Sequence, residues 1–303
     1  MSHAVLGPSK AAQWINCPPS IKLEAGFPDK QTSEASEGTL AHKLAEEMLR
    51  CANGEITKAT FTRRLNKIKE DPQYSPAMYE YVDGYAAFVW EKVSEARQSC
   101  PDPLVLFEQK LHFEDYIPDG FGTADVVIIA DDTAHVIDFK YGKGVPVSAQ
   151  GNPQLRLYAL GVYLEYADLY DIRKIRMTIV QPRLDSISTD LISAEDLMTW
   201  VRETASPAAQ MAVRGEGRQH VGEHCRWCKA KQVCRAQHDY QLEVARYEMA
   251  EPALLDEAEI ADVLARVDGF VKWMNAIKDF ALQQALDNHV RYPGFKLDRK
   301  SVV

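Results

Sequence analysis

The chain has 303 residues, 46% of them hydrophobic and 26% charged, so it can form a sizeable core and is too apolar for global disorder. Its 35 basic and 44 acidic residues give a net charge of −9, which excludes a generic basic nucleic-acid coating protein but not a local nucleic-acid site. No apolar run approaches the roughly 20 residues of a membrane span, and no secretory signal is visible, so we expect a cytoplasmic protein without a membrane partner.

The first hundred residues have helical patterning. Ser9 is predicted to cap a first helix that ends at Pro18-Pro19. A second helix is predicted from about Ser36 to Gly54, and a third from Pro76 to about Ala96.

The pattern then changes from helices to strands. Segments rich in branched residues predict strands at 104–113, 122–130, 133–140 and 175–182. Helices are predicted from Asn152 to about Tyr166, over 193–201, and over about 256–288, where an apolar stripe predicts a core face. This order of elements favours an α/β fold with a mixed sheet inside a helical envelope.

The strongest chemical signal lies in residues 119–140, DGFGTADVVIIADDTAHVIDFK. A turn centred on Asp131-Asp132 places Asp125 opposite Asp138 in an antiparallel pair, and Lys140 then emerges on the same face as Asp138. Because two adjacent carboxylates repel each other, this arrangement favours a divalent cation such as Mg²⁺. A solvated sheet edge with a Lys–Asp salt bridge is the alternative interpretation.

These residues resemble a known family. Asp125 followed by Asp138-Phe139-Lys140 resembles the D…(D/E)-x-K signature of the PD-(D/E)XK nuclease superfamily. Further similarity to its RecB-type branch lies in three short motifs: GTAD (122–125), QLRLY (154–158) and EGTLAH (37–42). The pattern is similar to a phage- and prophage-associated family related to the CRISPR-associated exonucleases.

The resemblance implies a role for each matching residue. His42, Asp125, Asp138 and the backbone carbonyl of Phe139 would bind Mg²⁺ or Mn²⁺, and Lys140 would be the catalytic lysine. Gln154 and Tyr158, which share one helix face, would complete the catalytic set. Glu37 and Glu108 are weaker candidates, and Glu108 is interpreted as an outward strand residue.

Three cysteines lie close together in a C-x₂-C-x₅-C pattern, namely Cys225, Cys228 and Cys234, and Cys17 stands far upstream. Such spacing in a reducing compartment indicates a metal site rather than disulfides. The pattern resembles the 4Fe–4S cluster of the CRISPR-associated and AddB-type nucleases, which would staple the N-terminal helix to the region after the nuclease core. Zinc is the alternative cofactor, since His220, His224 and His238 flank the triplet.

A basic surface is predicted next to the cysteines. Six Lys or Arg and two Glu lie between Arg214 and Arg235, so Arg226, Trp227 and Lys229 are weak candidates for nucleic-acid contacts. Lys143 in YGKG is a further candidate phosphate contact.

The resemblance implies a single nuclease domain over 1–303 with a restriction-endonuclease-like core. It would consist of an N-terminal helical part with Cys17 and His42, a PD-(D/E)XK core, a cysteine cluster and a C-terminal helix, at 1–100, 104–205, 214–238 and 256–290. We expect a metal-dependent deoxyribonuclease that acts as an exonuclease on DNA. We also expect it to be encoded by a phage or prophage and to act beside a phage single-strand annealing protein. A non-catalytic DNA-binding scaffold and a zinc-binding interaction module are the alternative functions.

Overall fold

The computed structural model describes residues 4–28, 33–245 and 256–297. Within these ranges the helices are α1 (Ala11–Asn16), α2 (Ser20–Glu24), α3 (Ser33–Ala52), α4 (Lys58–Lys69), α5 (Pro76–Ser99), α6 (Pro153–Tyr166), α7 (Ala194–Trp200), α8 (Ser206–Arg214), α9 (Arg235–Ala245) and α10 (Glu257–Asp287). The strands are β1 (Leu104–His112), β2 (Phe121–Ala130), β3 (Thr133–Phe139), β4 (Lys174–Gln181) and β5 (Ser186–Ser193).

The five strands form one mixed sheet in the order β1-β2-β3-β4-β5. All neighbouring pairs are antiparallel except β3 and β4, which are parallel. A parallel pair requires a crossover connection, and α6 provides it. The predicted mixed α/β fold is confirmed at this level.

Helices cover both faces of the sheet. On one face α3 and α5 bury residues such as Leu44 and Val89 against the strands, and on the other face α6 buries Leu155 and Ala159. A third cluster around Trp14 joins α1 to α6 and α8. The N-terminal helix α1 therefore packs against α6 and α8, which come much later in the chain.

Local signals account for several helix boundaries. Asn152 caps α6 through hydrogen bonds from the amides of Gln154 and Leu155, and Pro153 follows at the first helical position, as predicted. The predicted cap at Ser9 is wrong: a 3₁₀ turn (Pro8–Lys10) precedes α1, Gly7 stands at its start, and no side chain caps either segment. The second predicted helix begins earlier than expected, at Ser33.

Two predictions at the C-terminal side need correction. Strand β5 was not predicted, although its Ile187, Thr189 and Leu191 alternate with polar residues, because serine and aspartate are poor strand formers. The apolar stripe of α10 is not a core face, since only Trp273 is buried there. Five apolar residues of the predicted stripe and its surroundings are 37–68% exposed, namely Ile260, Leu264, Val271, Met274 and Leu282. Val263 and Val267 are partly buried.

None of the described helices combines the length and the apolar character that a membrane crossing requires.

His135 on β3 makes stability sensitive to acid. Its ring is buried and lies 2.8 Å from Thr178 Oγ1, and burial, with the charges of Arg176 and Lys92, lowers its pKa to about 3. The unfolded chain takes up this proton below about pH 6.5, whereas the folded chain does not, so stability falls as the pH drops from about 6.5 towards 3. We predict that His135→Gln removes about 2–3 kcal/mol of the wild-type loss between pH 6.5 and 4.5.

Urea unfolding at the two pH values measures this difference. An equal acid dependence in both proteins would contradict it.

Candidate active site and cysteine pocket

The β2–β3 hairpin has the predicted register. Val126 pairs with Ile137 and Ala130 with Thr133, which is the register that predicts Asp125 opposite Asp138. The regular pairing ends at Val126 and Ile137, so both aspartates lie where the two strands separate. Asp138 is buried and Asp125 is partly buried.

Asp125 joins three elements. Its Oδ2 accepts a hydrogen bond from the Phe139 amide at 2.7 Å, and its Oδ1 lies 3.1 Å from His42 Nδ1. The carboxylate thus connects β2 to β3 and to α3. His42 also lies against the Phe139 ring, with centroids 5.1 Å apart.

Asp138 belongs to a second chain of contacts, formed with Lys140 and α6. Lys140 Nζ lies 2.9 Å from Asp138 Oδ2 and donates to Gln154 Oε1 at 3.0 Å. Gln154 Nε2 in turn donates to the Tyr158 hydroxyl at 3.0 Å. The sequence-predicted residues Asp138, Lys140, Gln154 and Tyr158 are therefore brought together, with Gln154 orienting the lysine.

Close packing explains the glycine at position 122, in the GTAD motif. A Cβ at this position would lie 2.6 Å from Pro8 Cγ and 2.9 Å from the Tyr158 ring. The absence of a side chain lets Tyr158 approach β2 and hold Gln154.

Glu108 is a candidate metal ligand that the sequence analysis ranked too low. Within the described residues, the ligand atoms of His42, Glu108 and Asp125 form the one set of three or more that all lie within 4.8 Å of one another. Asp138 is not part of that set. The interpretation of Glu108 as an outward strand residue is wrong, because its carboxylate lies with His42 and Asp125 in this set. Its φ of 50° distorts β1 at this point.

A second irregularity lies at Asp125, on the adjacent strand β2. Val126 packs on the α3–α5 face of the sheet, whereas Ala124, two residues away, packs on the α6 face, so the normal alternation fails at Asp125. A left-handed backbone costs a glutamate of the order of 1–3 kcal/mol, and such strain is typical of functional sites.

The site holds an excess of negative charge. Burial and the nearby Asp125 raise the pKa of Glu108 to about 7. Burial also raises the pKa of Asp138 above its usual range, although Lys140 opposes it. Asp125 differs: burial favours a higher pKa, but the His42 charge and the hydrogen bonds hold its pKa below the usual range.

His42 supplies the compensating charge. Burial by itself would lower its pKa, but the charge and hydrogen bond of Asp125 outweigh burial and raise the pKa of His42 to about 9. A metal ion bound by the imidazole would have to displace this proton.

The donor set fits a hard divalent cation. Two carboxylates and one imidazole form the tight set, with the Asp138 charge close to the imidazole, and oxygen ligands with one nitrogen suit Mg²⁺ or Mn²⁺. Asp138 Oδ2 is buried and, apart from the ion pair with Lys140, accepts no hydrogen bond from any described residue. A carboxylate oxygen in that state has a free lone pair for a ligand.

The four predicted cluster cysteines line one pocket. Cys17 at the end of α1 meets Cys225, Cys228 and Cys234 there, together with His220 and His224. Cys51 and Cys100 are not among the residues that line it.

Within the described residues, the cysteine sulfurs do not form a set of three that all lie within 4.8 Å of one another. Burial raises the pKa of the Cys228 thiol to about 12, and a hydrogen bond with Cys17 raises the pKa of His224. Cys17 and His224 are thus direct neighbours in the pocket.

The candidate nucleic-acid contacts are distributed over two places. Arg226 and the 77% exposed Trp227 lie on a 3₁₀ turn beside the cysteine pocket, with the guanidinium 5.2 Å from the ring centroid. Lys229 follows Cys228, and Lys143 lies exposed in the loop after β3.

Comparison with known proteins places the chain in a family. Residues 3–300 match the family described as "Protein of unknown function (DUF2800)". The chain belongs to the DUF2800 family. A solved structure titled "Crystal structure of SSO0001" is similar at 17% sequence identity, with a TM-score of 0.29, over 64% of this chain and 85% of the other.

In this DUF2800 protein, Glu108 should limit stability while it supports metal binding. We predict that Glu108→Gln stabilises the metal-free protein at pH 8 by about 1–2 kcal/mol, because repulsion with Asp125 is removed. A ten-fold weaker Mn²⁺ site would at the same time reduce Mn²⁺ stabilisation from about 2.7 to about 1.4 kcal/mol at 100 times the wild-type Kd.

Chemical denaturation with and without Mn²⁺ measures both effects. Glu70→Gln, at the exposed end of α4, is the control and should match wild type. Equal Mn²⁺ stabilisation of wild type and Glu108→Gln would count against the site.

Proposed function

We propose that this protein is a metal-dependent DNA nuclease of the RecB-type branch of the PD-(D/E)XK superfamily. The observation that carries the proposal is the position of Lys140, held between Asp138 and Gln154 on the sheet that also carries Asp125 and Glu108. A lysine beside clustered carboxylates is suited to phosphodiester hydrolysis, where anionic charge increases on the phosphate. We further propose a restriction-endonuclease-like core and exonuclease action on DNA ends or single strands.

The chain's own residues would prepare the reaction. Asp138 and Gln154 hold the Lys140 ammonium in one place, so its charge needs no reorganisation to stabilise a phosphate oxygen. Tyr158 accepts from Gln154 and thereby fixes which amide atom faces the lysine. Asp125 orients His42 through Nδ1, which leaves Nε2 for a ligand.

His42, Glu108, Asp125 and Asp138 are the residues that would hold Mg²⁺ or Mn²⁺, with the Phe139 carbonyl as a further ligand. Such an ion lowers the pKa of a water molecule and offsets phosphate charge.

A 4Fe–4S cluster is our proposal for the cysteine pocket. It is supported by the four cysteines that line one pocket, since four thiolates are the ligand set of such a cluster; zinc is the alternative cofactor. The cluster would staple α1 to the region after the sheet and would couple its assembly to folding.

DNA is the proposed partner, and its candidate contacts are Arg226, Trp227, Lys229 and Lys143. The exposed Trp227 offers a ring for base stacking, and the cations offer charge for phosphates. A phage-encoded role in a bacterial cytoplasm, beside a single-strand annealing protein, fits this activity.

Lys140→Ala tests the nuclease directly. We predict that cleavage of end-labelled DNA in Mn²⁺ falls about 10²- to 10³-fold, because the charge on phosphate loses its counterion. DNA binding in EDTA should remain within about two-fold, since one cation contributes little to total affinity.

Lys272→Ala, exposed on α10, is the control and should cleave like wild type. Binding by wild type without any metal-dependent cleavage would favour the scaffold function instead.

The cofactor is tested by anaerobic purification. We predict a brown protein with about four irons per chain and absorbance at about 400 nm. Cys17→Ser should lose most of the iron because one of four ligands is removed, and Cys51→Ser should retain it. Stoichiometric zinc without iron would overturn the cluster proposal.

A further inference from the structure

We infer that Glu24 is a positioning residue of the cysteine pocket, whose carboxylate holds the backbone beside Cys228 opposite Cys17 before any cofactor binds. The inference rests on the proposed metal or cluster role of that pocket. It does not depend on nuclease activity.

Glu24 is the last residue of α2 and is 4% exposed. Its Oε1 accepts a hydrogen bond from the Lys229 amide at 2.6 Å, across 205 residues of chain. Its Oε2 lies 3.0 Å from Lys10 Nζ. Both carboxylate oxygens are thus engaged, one by the cysteine loop and one by the N-terminal segment.

The Lys229 amide is the first backbone donor after Cys228, so this bond acts on the residue that carries the thiol. The loop has little core of its own to hold it. Between residues 220 and 235 only Cys228 and Ala230 are buried, and the regular structure there is one 3₁₀ turn (Glu223–Trp227).

Burying a carboxylate is costly unless its oxygens are hydrogen-bonded. An apolar residue would suffice if Glu24 only filled space in α2. The Glu24 carboxylate instead binds a backbone amide of the distant cysteine loop, which indicates that it positions that loop. Cys17 and Glu24 lie seven residues apart, so one N-terminal segment supplies both a sulfur and the anchor for the opposite sulfurs.

The consequence is preorganisation. Closing a loop of about 200 residues carries an entropic cost, and the cofactor would otherwise have to offset it on binding. With Glu24 in place, the four cysteines are assembled by the protein itself.

A pair of substitutions at one position isolates the hydrogen bond. Lys229→Pro removes the backbone donor, and Lys229→Ala removes the same side chain but keeps the donor. The preceding residue, Cys228, has φ −67° and ψ 124°, which is the backbone that a following proline prefers. Glu24→Ala removes the acceptor as an independent third variant.

The measurement is the rate of Cys228 alkylation in the reduced, metal-free full chain, followed by mass spectrometry of the peptides. Cys51 and Cys100 serve as internal references outside the pocket. We expect Lys229→Pro and Glu24→Ala to accelerate Cys228 labelling about ten-fold or more, the factor expected for a hydrogen bond to a charged acceptor, with the references unchanged. Lys229→Ala should stay within about two-fold of wild type.

A second readout follows the iron that the protein carries after anaerobic purification. We expect a chelator to remove it about ten-fold faster from Lys229→Pro than from Lys229→Ala. Equal alkylation of Cys228 in these two variants would overturn the inference. Equal acceleration at Cys51 and Cys100 would also overturn it, because the bond would then support the whole fold. If wild type shows no nuclease activity but the alkylation and iron-release results are as expected, the proposed nuclease function fails and the inference about Glu24 stands.

Discussion

Asp125 is the residue on which the arrangement of the sheet site depends. It lies where the regular β2–β3 pairing ends. Beyond that point, one of its carboxylate oxygens accepts a hydrogen bond from the Phe139 amide, and the other contacts His42. These contacts bring α3 to the end of β3, next to Lys140. The left-handed backbone of Glu108 on β1 completes the cluster from the other side.

The N-terminal segment ties together distant parts of the chain. Trp14 is fully buried among α6 and α8, Cys17 lines the pocket of the late cysteines, and Glu24 binds the loop behind Cys228. These contacts unite the sheet and the cysteine region in one structure. They also explain why one short segment carries a buried tryptophan, a cysteine and a buried carboxylate.

Much of the fold was predictable because local rules dominate there. Branched strands around Asp131-Asp132 gave the hairpin register, and Asn152-Pro153 gave the start of α6. The errors came from context. The stripe on α10 has ideal spacing, but periodicity shows only that a face is apolar and not what covers it. Strand β5 has weak strand formers that its partner β4 compensates.

The sequence by itself determined the chemical inventory. Hairpin geometry predicted the grouping of Asp125, Asp138 and Lys140, spacing predicted the three late cysteines, and Cys17 followed from the family resemblance. The tertiary structure decided which of these groups contact one another. It assigned Asp125 to His42 and Glu108, and Asp138 to Lys140 and Gln154, because strand separation and the positive φ of Glu108 redirect side chains that alternation alone would misplace. It also brought Glu24 to Lys229, a contact across 205 residues that only packing can create.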